Sequence, residues 1–206
     1  MDCGNSASYK KKCARDTADL SAAQGLRERD FKMERILAMA ILMLGGFAPA
    51  LASDLKPGDP APGLKLKTDS GADFDLKMRK GQWTVLYFYP KADTPGCTKQ
   101  ACAFRDNIGQ IRKLGAEIYG VSADDVEAVK SFKAKHRLNF VLLADPRLEA
   151  INAYGTKMPA LSMSKRWTFI IDPELRIRAV EKDVDPVLDA ARTAALLGNL
   201  QAKSGN

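Results

Sequence analysis

The chain has 206 residues, enough for one sizeable core or for one domain with appendages. With 46% hydrophobic and 28% charged residues it has the composition of a folded globular protein, which excludes a disordered or fibrous chain. The net charge of +7 is not a nucleic-acid footprint, because basic and acidic residues interleave and only Lys10, Lys11 and Lys12 form a run.

Residues 1–32 carry no sustained apolar periodicity. Met33, Glu34 and Arg35 then lead into an apolar run from Ile36 to Leu44, followed by Gly45-Gly46, Pro49 and the small-residue pattern Ala50-Leu51-Ala52 before Ser53. That is the layout of a secretory signal peptide, and its apolar centre is shorter than the roughly 20 residues a membrane span needs. The reading is a signal at 33–52, with Met33 as the true initiator and 1–32 as a non-native or disordered extension. The body, 53–206, is then exported to the periplasm and keeps no membrane insertion once the signal is cleaved. If the signal is not used, the protein stays in the cytoplasm.

The body alternates strand and helix patterns, the signature of an α/β sheet flanked by helices. Pro57, Pro60 and Pro62 make an extended lead-in. Leu64 to Lys67 alternates, Asp69-Ser70-Gly71 turns, and Phe74 to Leu76 returns as a short hairpin. Trp83 to Tyr89 is a near-continuous apolar run that stops at Pro90, a strand buried on both faces. From Thr98 onward Ala101, Phe104, Ile108, Ile111 and Leu114 recur at helical spacing until Gly115, and Ala116 to Val121 is a second core strand. A helix carried by Val126, Val129, Phe132 and Leu138 is expected to start at Ser122 to Asp125. Phe140 to Leu143 is a third strand, Leu148 to Tyr154 a short helix, Trp167 to Ile171 and Ile177 to Val180 a second hairpin, and Val184 to Leu200 a final helix.

No glycine-rich phosphate loop follows any strand, so nucleotide readings lose their motif. Of the four cysteines, Cys3 and Cys13 lie in the leader, and only Cys97 and Cys102 belong to the body. Five residues apart, they would close a tiny loop that constrains little of the unfolded chain, which argues against a structural staple. Cys97 falls where an α/β sheet places its chemistry, after a central strand and at a helix N-terminus, where unpaired amides and the helix dipole favour a thiolate. Taken alone, a free cysteine is more often a small buried hydrophobe, and the surrounding string decides.

That string runs Pro90-Lys91-Ala92-Asp93-Thr94-Pro95-Gly96-Cys97-Thr98, with Cys102 five positions on and Phe104-Arg105-Asp106 beyond it. It resembles the active-site pattern of the peroxiredoxins, and TPGCT with the second cysteine resembles the bacterioferritin-comigratory or Q-type subfamily. The resemblance runs from about residue 56 to 200, through Gly120-Val121-Ser122-Ala123-Asp124, Leu142 to Asp145, Tyr154-Gly155 and Arg166 to Asp172. It implies a thioredoxin-like three-layer sandwich with a central mixed sheet, and a thiol-dependent peroxidase acting on hydrogen peroxide and organic hydroperoxides. It further implies that Cys97 attacks the peroxide and becomes a sulfenic acid. Cys102 would resolve that acid to an intramolecular disulfide, and a thioredoxin-like dithiol would reduce the disulfide. Thr94 would hydrogen-bond the peroxide and the thiolate, Arg166 would supply a supporting cation, and Pro90 would shape and shield the loop. For Thr94 a helix-capping role, and for Arg166 a surface salt bridge, are the readings without the resemblance.

The subfamily usually places Glu three positions after the attacking cysteine, and here Gln100 stands there. Uncharged, it is expected to leave Arg166 less neutralised and more loosely placed. No cofactor or metal is implied, and Q-type relatives suggest a monomer. Two alternatives share the fold. A protein disulfide oxidoreductase would want a C-x-x-C pair, and a copper-binding chaperone would want a histidine placed with two cysteines. The sole histidine, His136, sits beside Lys135 and Arg137 and reads as a solvated or dipole-compensating helix-end residue.

Overall fold

Alternation decides the sheet first. In strand β3 (Trp83–Phe88) and the residue after it, Val85, Tyr87 and Tyr89 enter one apolar cluster while Leu86 and Phe88 enter another on the opposite face. A strand buried on both sides lies inside its sheet. Accordingly β3 pairs in parallel with β4 (Ala116–Ser122) and antiparallel with β6 (Trp167–Ile171). Beyond β4 come β5 (Val141–Ala144), parallel to it, then β1 (Lys65–Thr68) and β2 (Asp73–Asp75), each antiparallel to its neighbour. On the other side β7 (Ile177–Glu181) closes the edge against β6. The order across this mixed sheet is β2-β1-β5-β4-β3-β6-β7.

The computed structural model describes residues 54–204. The extension at 1–32 and the signal at 33–52, with Cys3 and Cys13, lie outside the described residues. Among the described residues no helix is long and apolar enough to cross a membrane.

Three helices cover one face of the sheet. Helix α1 (Pro95–Lys113) supplies Ala101, Phe104, Ile108 and Ile111, and α2 (Val126–His136) supplies Val129 and Phe132. The short α3 (Glu149–Ala153) lies on the other face, and α4 (Asp189–Ser204) returns to the first with Ala190, Ala194 and Leu197. Opposite them, α3 and its C-cap Tyr154 share their layer with Leu55 and Leu64 of the extended lead-in and with Leu76, which opens a short 3-10 helix, and these fill the second cluster beside Ile151. The sandwich therefore has one helical layer and one built largely from the lead-in.

Element boundaries differ from the sequence reading where caps decide them. Helix α1 begins at Pro95 and not Thr98, because proline's fixed φ suits the first helical position and its missing N–H costs nothing there. Ser122 stays in β4, and Asp125 caps α2 by accepting from the Ala128 amide at 2.9 Å. Arg137, at φ 51°, ends that helix, so Leu138 is buried just beyond it. The last helix starts at Asp189 and not Val184. Pro186 disfavours helical backbone at Asp185, whose carboxylate accepts from the Val187 amide at 2.8 Å in the turn that precedes the helix.

One glycine in the sheet has a steric reason. Gly120 faces Tyr87 in the β3–β4 register, and a Cβ there would sit 2.6 Å from the buried tyrosine ring. The same strand holds the two indoles apart: Trp83 opens β3, while Trp167 opens β6 opposite Phe88 at the far end.

Candidate active site

The segment between β3 and α1 is pinned before it reaches the cysteine. The Ala92 amide donates to Asp124 Oδ2 at 2.7 Å, an oxygen that also accepts from the Ser122 hydroxyl at 2.9 Å. Asp93 adopts φ 59°, a left-handed conformation that aspartate tolerates better than most residues. Its carboxylate accepts from His136 Nε2 at 2.8 Å and from the Lys135 ammonium. Those two bonds hold the Asp93 carboxyl below its ordinary value. The end of α2 thus holds the loop. His136 does close its helix, as a dipole-compensating residue would, and it is half-buried, its ring against Phe132 with centroids 5.2 Å apart.

Thr94 is the N-cap by position, with extended backbone at φ −84° and ψ 152°. Its hydroxyl does not cap the helix and instead donates to the Lys91 carbonyl at 3.0 Å, which braces the loop. Pro95 and Gly96 follow, and Cys97 is the third helical residue, buried, with a free thiol. The amides of this first turn have no partners within the helix and present positive charge to the sulfur.

Arg166 reaches this turn from the residue before β6. Its Nη2 donates to Cys97 Sγ at 3.5 Å, and its Nη1 donates to Gln100 Oε1 at 2.6 Å. Gly96 leaves room for the approach, since a Cβ there would stand 3.2 Å from Nη2, closer than ordinary contact. The guanidinium is therefore spent inside the site and not on a surface salt bridge. Lys165 and Lys182 flank the neighbouring Trp167, their Nζ atoms 4.8 and 4.6 Å from the ring centroid.

Gln100 is buried and does not leave Arg166 loose. Its Nε2 donates to Asp189 Oδ2 at 2.6 Å, and that oxygen also accepts from the buried Thr168 hydroxyl at 2.9 Å. Thr193 Oγ1 donates to Asp189 Oδ1 at 3.4 Å. Asp189 is a residue the sequence reading missed, although a signal was present. It shares a helical stripe with Ala190, Thr193, Ala194 and Leu197, so an acid stood on the apolar face of α4. Burial pushes its carboxyl above the ordinary value, against the bonds from Gln100, Thr168 and Thr193 that pull it down.

Cys97 itself is buried in the apolar cluster on the helical face of the sheet. Tyr87, fully buried in the same apolar cluster as Cys97, has no hydrogen-bond partner for its hydroxyl, and burial raises its phenol well above the ordinary value. Of the residues singled out in the sequence, the structure joins Cys97 and Arg166 directly. Pro90 is half-buried at the loop's start, and Cys102, half-buried with a free thiol, lies five residues along α1. Among the described residues, no group of three or more His, Cys, Asp or Glu is placed to hold a metal ion.

Residues 57–180 match the model of the AhpC/TSA family. A putative peroxiredoxin bcp from Coxiella burnetii is 42% identical over 132 residues, covering 61% of this chain and 87% of that protein. The chloroplastic peroxiredoxin Q of Suaeda salsa is 35% identical over 150 residues, 69% of this chain and 70% of that one. Among solved structures, peroxidoxin BcpB from Mycobacterium tuberculosis superposes with a TM-score of 0.66 at 31% identity, covering 70% of this chain and 97% of that one. A free thiol at a helix N-terminus, an arginine on its sulfur and a thioredoxin-like sheet thus coincide with sequence and structural likeness along most of the body, and the chain belongs to the AhpC/TSA family, among peroxiredoxins of the Q or bcp kind.

Proposed function

We propose that this thiol-dependent peroxidase works through Cys97, and the observation that carries the reading is the Arg166 guanidinium on Cys97 Sγ at the first turn of α1. The Cys97 thiolate attacks one oxygen of a hydroperoxide. The S–O bond forms as the O–O bond breaks, and the departing oxygen takes up a proton to leave as water or an alcohol. Negative charge moves from sulfur to that leaving oxygen, so the fixed cation and the first-turn amides stabilise the transition state without reorganising. The product at Cys97 is a sulfenic acid.

Cys102 then attacks the sulfenic sulfur, forming S–S and releasing water. In the helical state the two positions lie about 140° apart around the axis, with Cα atoms roughly 8 to 9 Å apart. A disulfide needs less than about 7 Å. The first turns of α1 must therefore unwind after oxidation, a local opening. A thioredoxin-like dithiol reduces the disulfide by exchange and is itself oxidised. Both cysteines lie on one helix, which supports a monomer completing the cycle.

The test is peroxide consumption by the purified protein with a thioredoxin system. Cys97→Ser is expected to abolish turnover, and Cys102→Ser to accumulate a sulfenic acid that a dimedone-type reagent captures. Full activity in Cys97→Ser would overturn Cys97 as the attacking residue, and no peroxide consumption by the wild type would move disulfide exchange ahead of peroxide reduction.

A further inference from the structure

We propose that Asp189 is a positioning residue for peroxide attack: through Gln100 it sets the orientation of Arg166 on the Cys97 sulfur. The inference rests on the peroxidase reading above.

A glutamine side chain has two unlike ends of nearly equal shape, and only its surroundings decide which end faces where. Arg166 can only donate, so it requires the amide oxygen of Gln100. Were the amide turned over, its NH2 group would face a guanidinium and the 2.6 Å contact would become a donor against a donor. The carboxylate of Asp189 removes that alternative, because it accepts from Nε2 at 2.6 Å and thereby commits Oε1 to Arg166. Thr168 and Thr193 in turn hold the carboxylate from β6 and from α4. The chain of contacts is continuous from a buried acid on α4, through α1, to the guanidinium at the head of β6 and so to the sulfur.

All members except Arg166 are buried, so water offers no substitute acceptor for Gln100. The arrangement also separates charge from contact. The residue touching Arg166 is neutral, and the acid stands one side chain farther from the thiolate. Arg166 is held in place without an anion directly beside it.

A carboxylate at position 100 would need no such help, because both its oxygens accept. The effect of losing Asp189 should therefore depend on what occupies position 100. The experiment measures the second-order rate constant for hydrogen peroxide attack on the pre-reduced full chain, across pH, in Asp189→Leu, in Gln100→Glu with Asp189→Leu, and in wild type. Asp189→Ala is carried in parallel, so that a fold defect peculiar to leucine does not decide the outcome, and thermal melts accompany every variant. Asp189→Leu is expected to lower the plateau rate constant about tenfold, the scale on which misplacing one catalytic group acts. Adding Gln100→Glu is expected to restore it to within about threefold of wild type, which a purely structural role for Asp189 would not do. A plateau unchanged in both single variants, or a loss that Gln100→Glu leaves untouched, overturns the proposal. A wild-type protein whose peroxide consumption does not depend on Cys97 instead overturns the reading beneath it.

Discussion

At the scale of single residues, the site depends on absences as much as on reactive groups. Gly96 stands where the Arg166 guanidinium passes, and a methyl group there would come within 3.2 Å of Nη2. In a helix, alanine is ordinarily the more stable choice by about 0.5 to 1 kcal/mol. Gly96→Ala should therefore leave the melting temperature unchanged or slightly raised while slowing peroxide attack about tenfold, through displacement of a charge aimed at the leaving oxygen. Stopped-flow rates and melts on the same preparation check both halves. A fall in stability without a fall in rate would show that Arg166 yields easily. Cys97 and Arg166 were both singled out through the family resemblance, Cys97 on the string around it and Arg166 on a separate segment, and the folded chain brings the two together. Asp189 was not, since its bond to Gln100 spans 89 residues and only the folded sheet brings α1 and α4 together. Thr94 shows the converse: a helix-capping role was one reading of it, and it holds the N-cap position, yet its hydroxyl goes to Lys91.

At the scale of elements, the proposed cycle gives α1 two incompatible tasks. Peroxide attack needs its first turn formed, because the amides and Arg166 act on a folded N-terminus. Disulfide formation needs the same turn undone. The helix is continuous from Pro95 to Lys113, so the balance rests on its local stability between Cys97 and Cys102. Lys99 is exposed there and faces away from the core. Comparing Lys99→Gly with Lys99→Ala changes helix propensity by about 1 kcal/mol while removing the same charge from both. The glycine variant should form the disulfide about fivefold faster and lose less activity to overoxidation at high peroxide. Equal rates in the two variants would place the slow step outside this helix. The elements themselves were readable from periodicity, since β3 and α1 carry clean patterns of two and 3.6. Their ends were not, because the cap at Asp125, the fixed φ of Pro95 and the turn at Asp185 set the boundaries, and none of these leaves a periodic trace.

At the scale of the whole molecule, the sheet separates two apolar clusters, and Gly120 lies where β4 and β3 must approach closely for Tyr87 to enter one of them. The ring is fully buried and stacked near Phe104, centroids 4.8 Å apart, so it has nowhere to retreat. Gly120→Ala should destabilise the fold by about 1 to 3 kcal/mol, read as a lower urea midpoint at unchanged slope. The overall architecture was legible because the alternating strand and helix patterns admit few topologies. The asymmetry of its outer layers was hidden, since prolines 57, 60 and 62 announce extended chain without saying that it covers a sheet face. The placement of the two tryptophans has an optical consequence. Trp167 is bonded to Arg166 and held between two ammonium groups, whereas Trp83 lies at the opposite end of β3, about 17 Å away at the usual rise of a strand. Trp83 packs against the apolar cluster that holds Cys97, and Trp167 against the cluster on the opposite face, so the two emissions sample the two sides of the sheet separately.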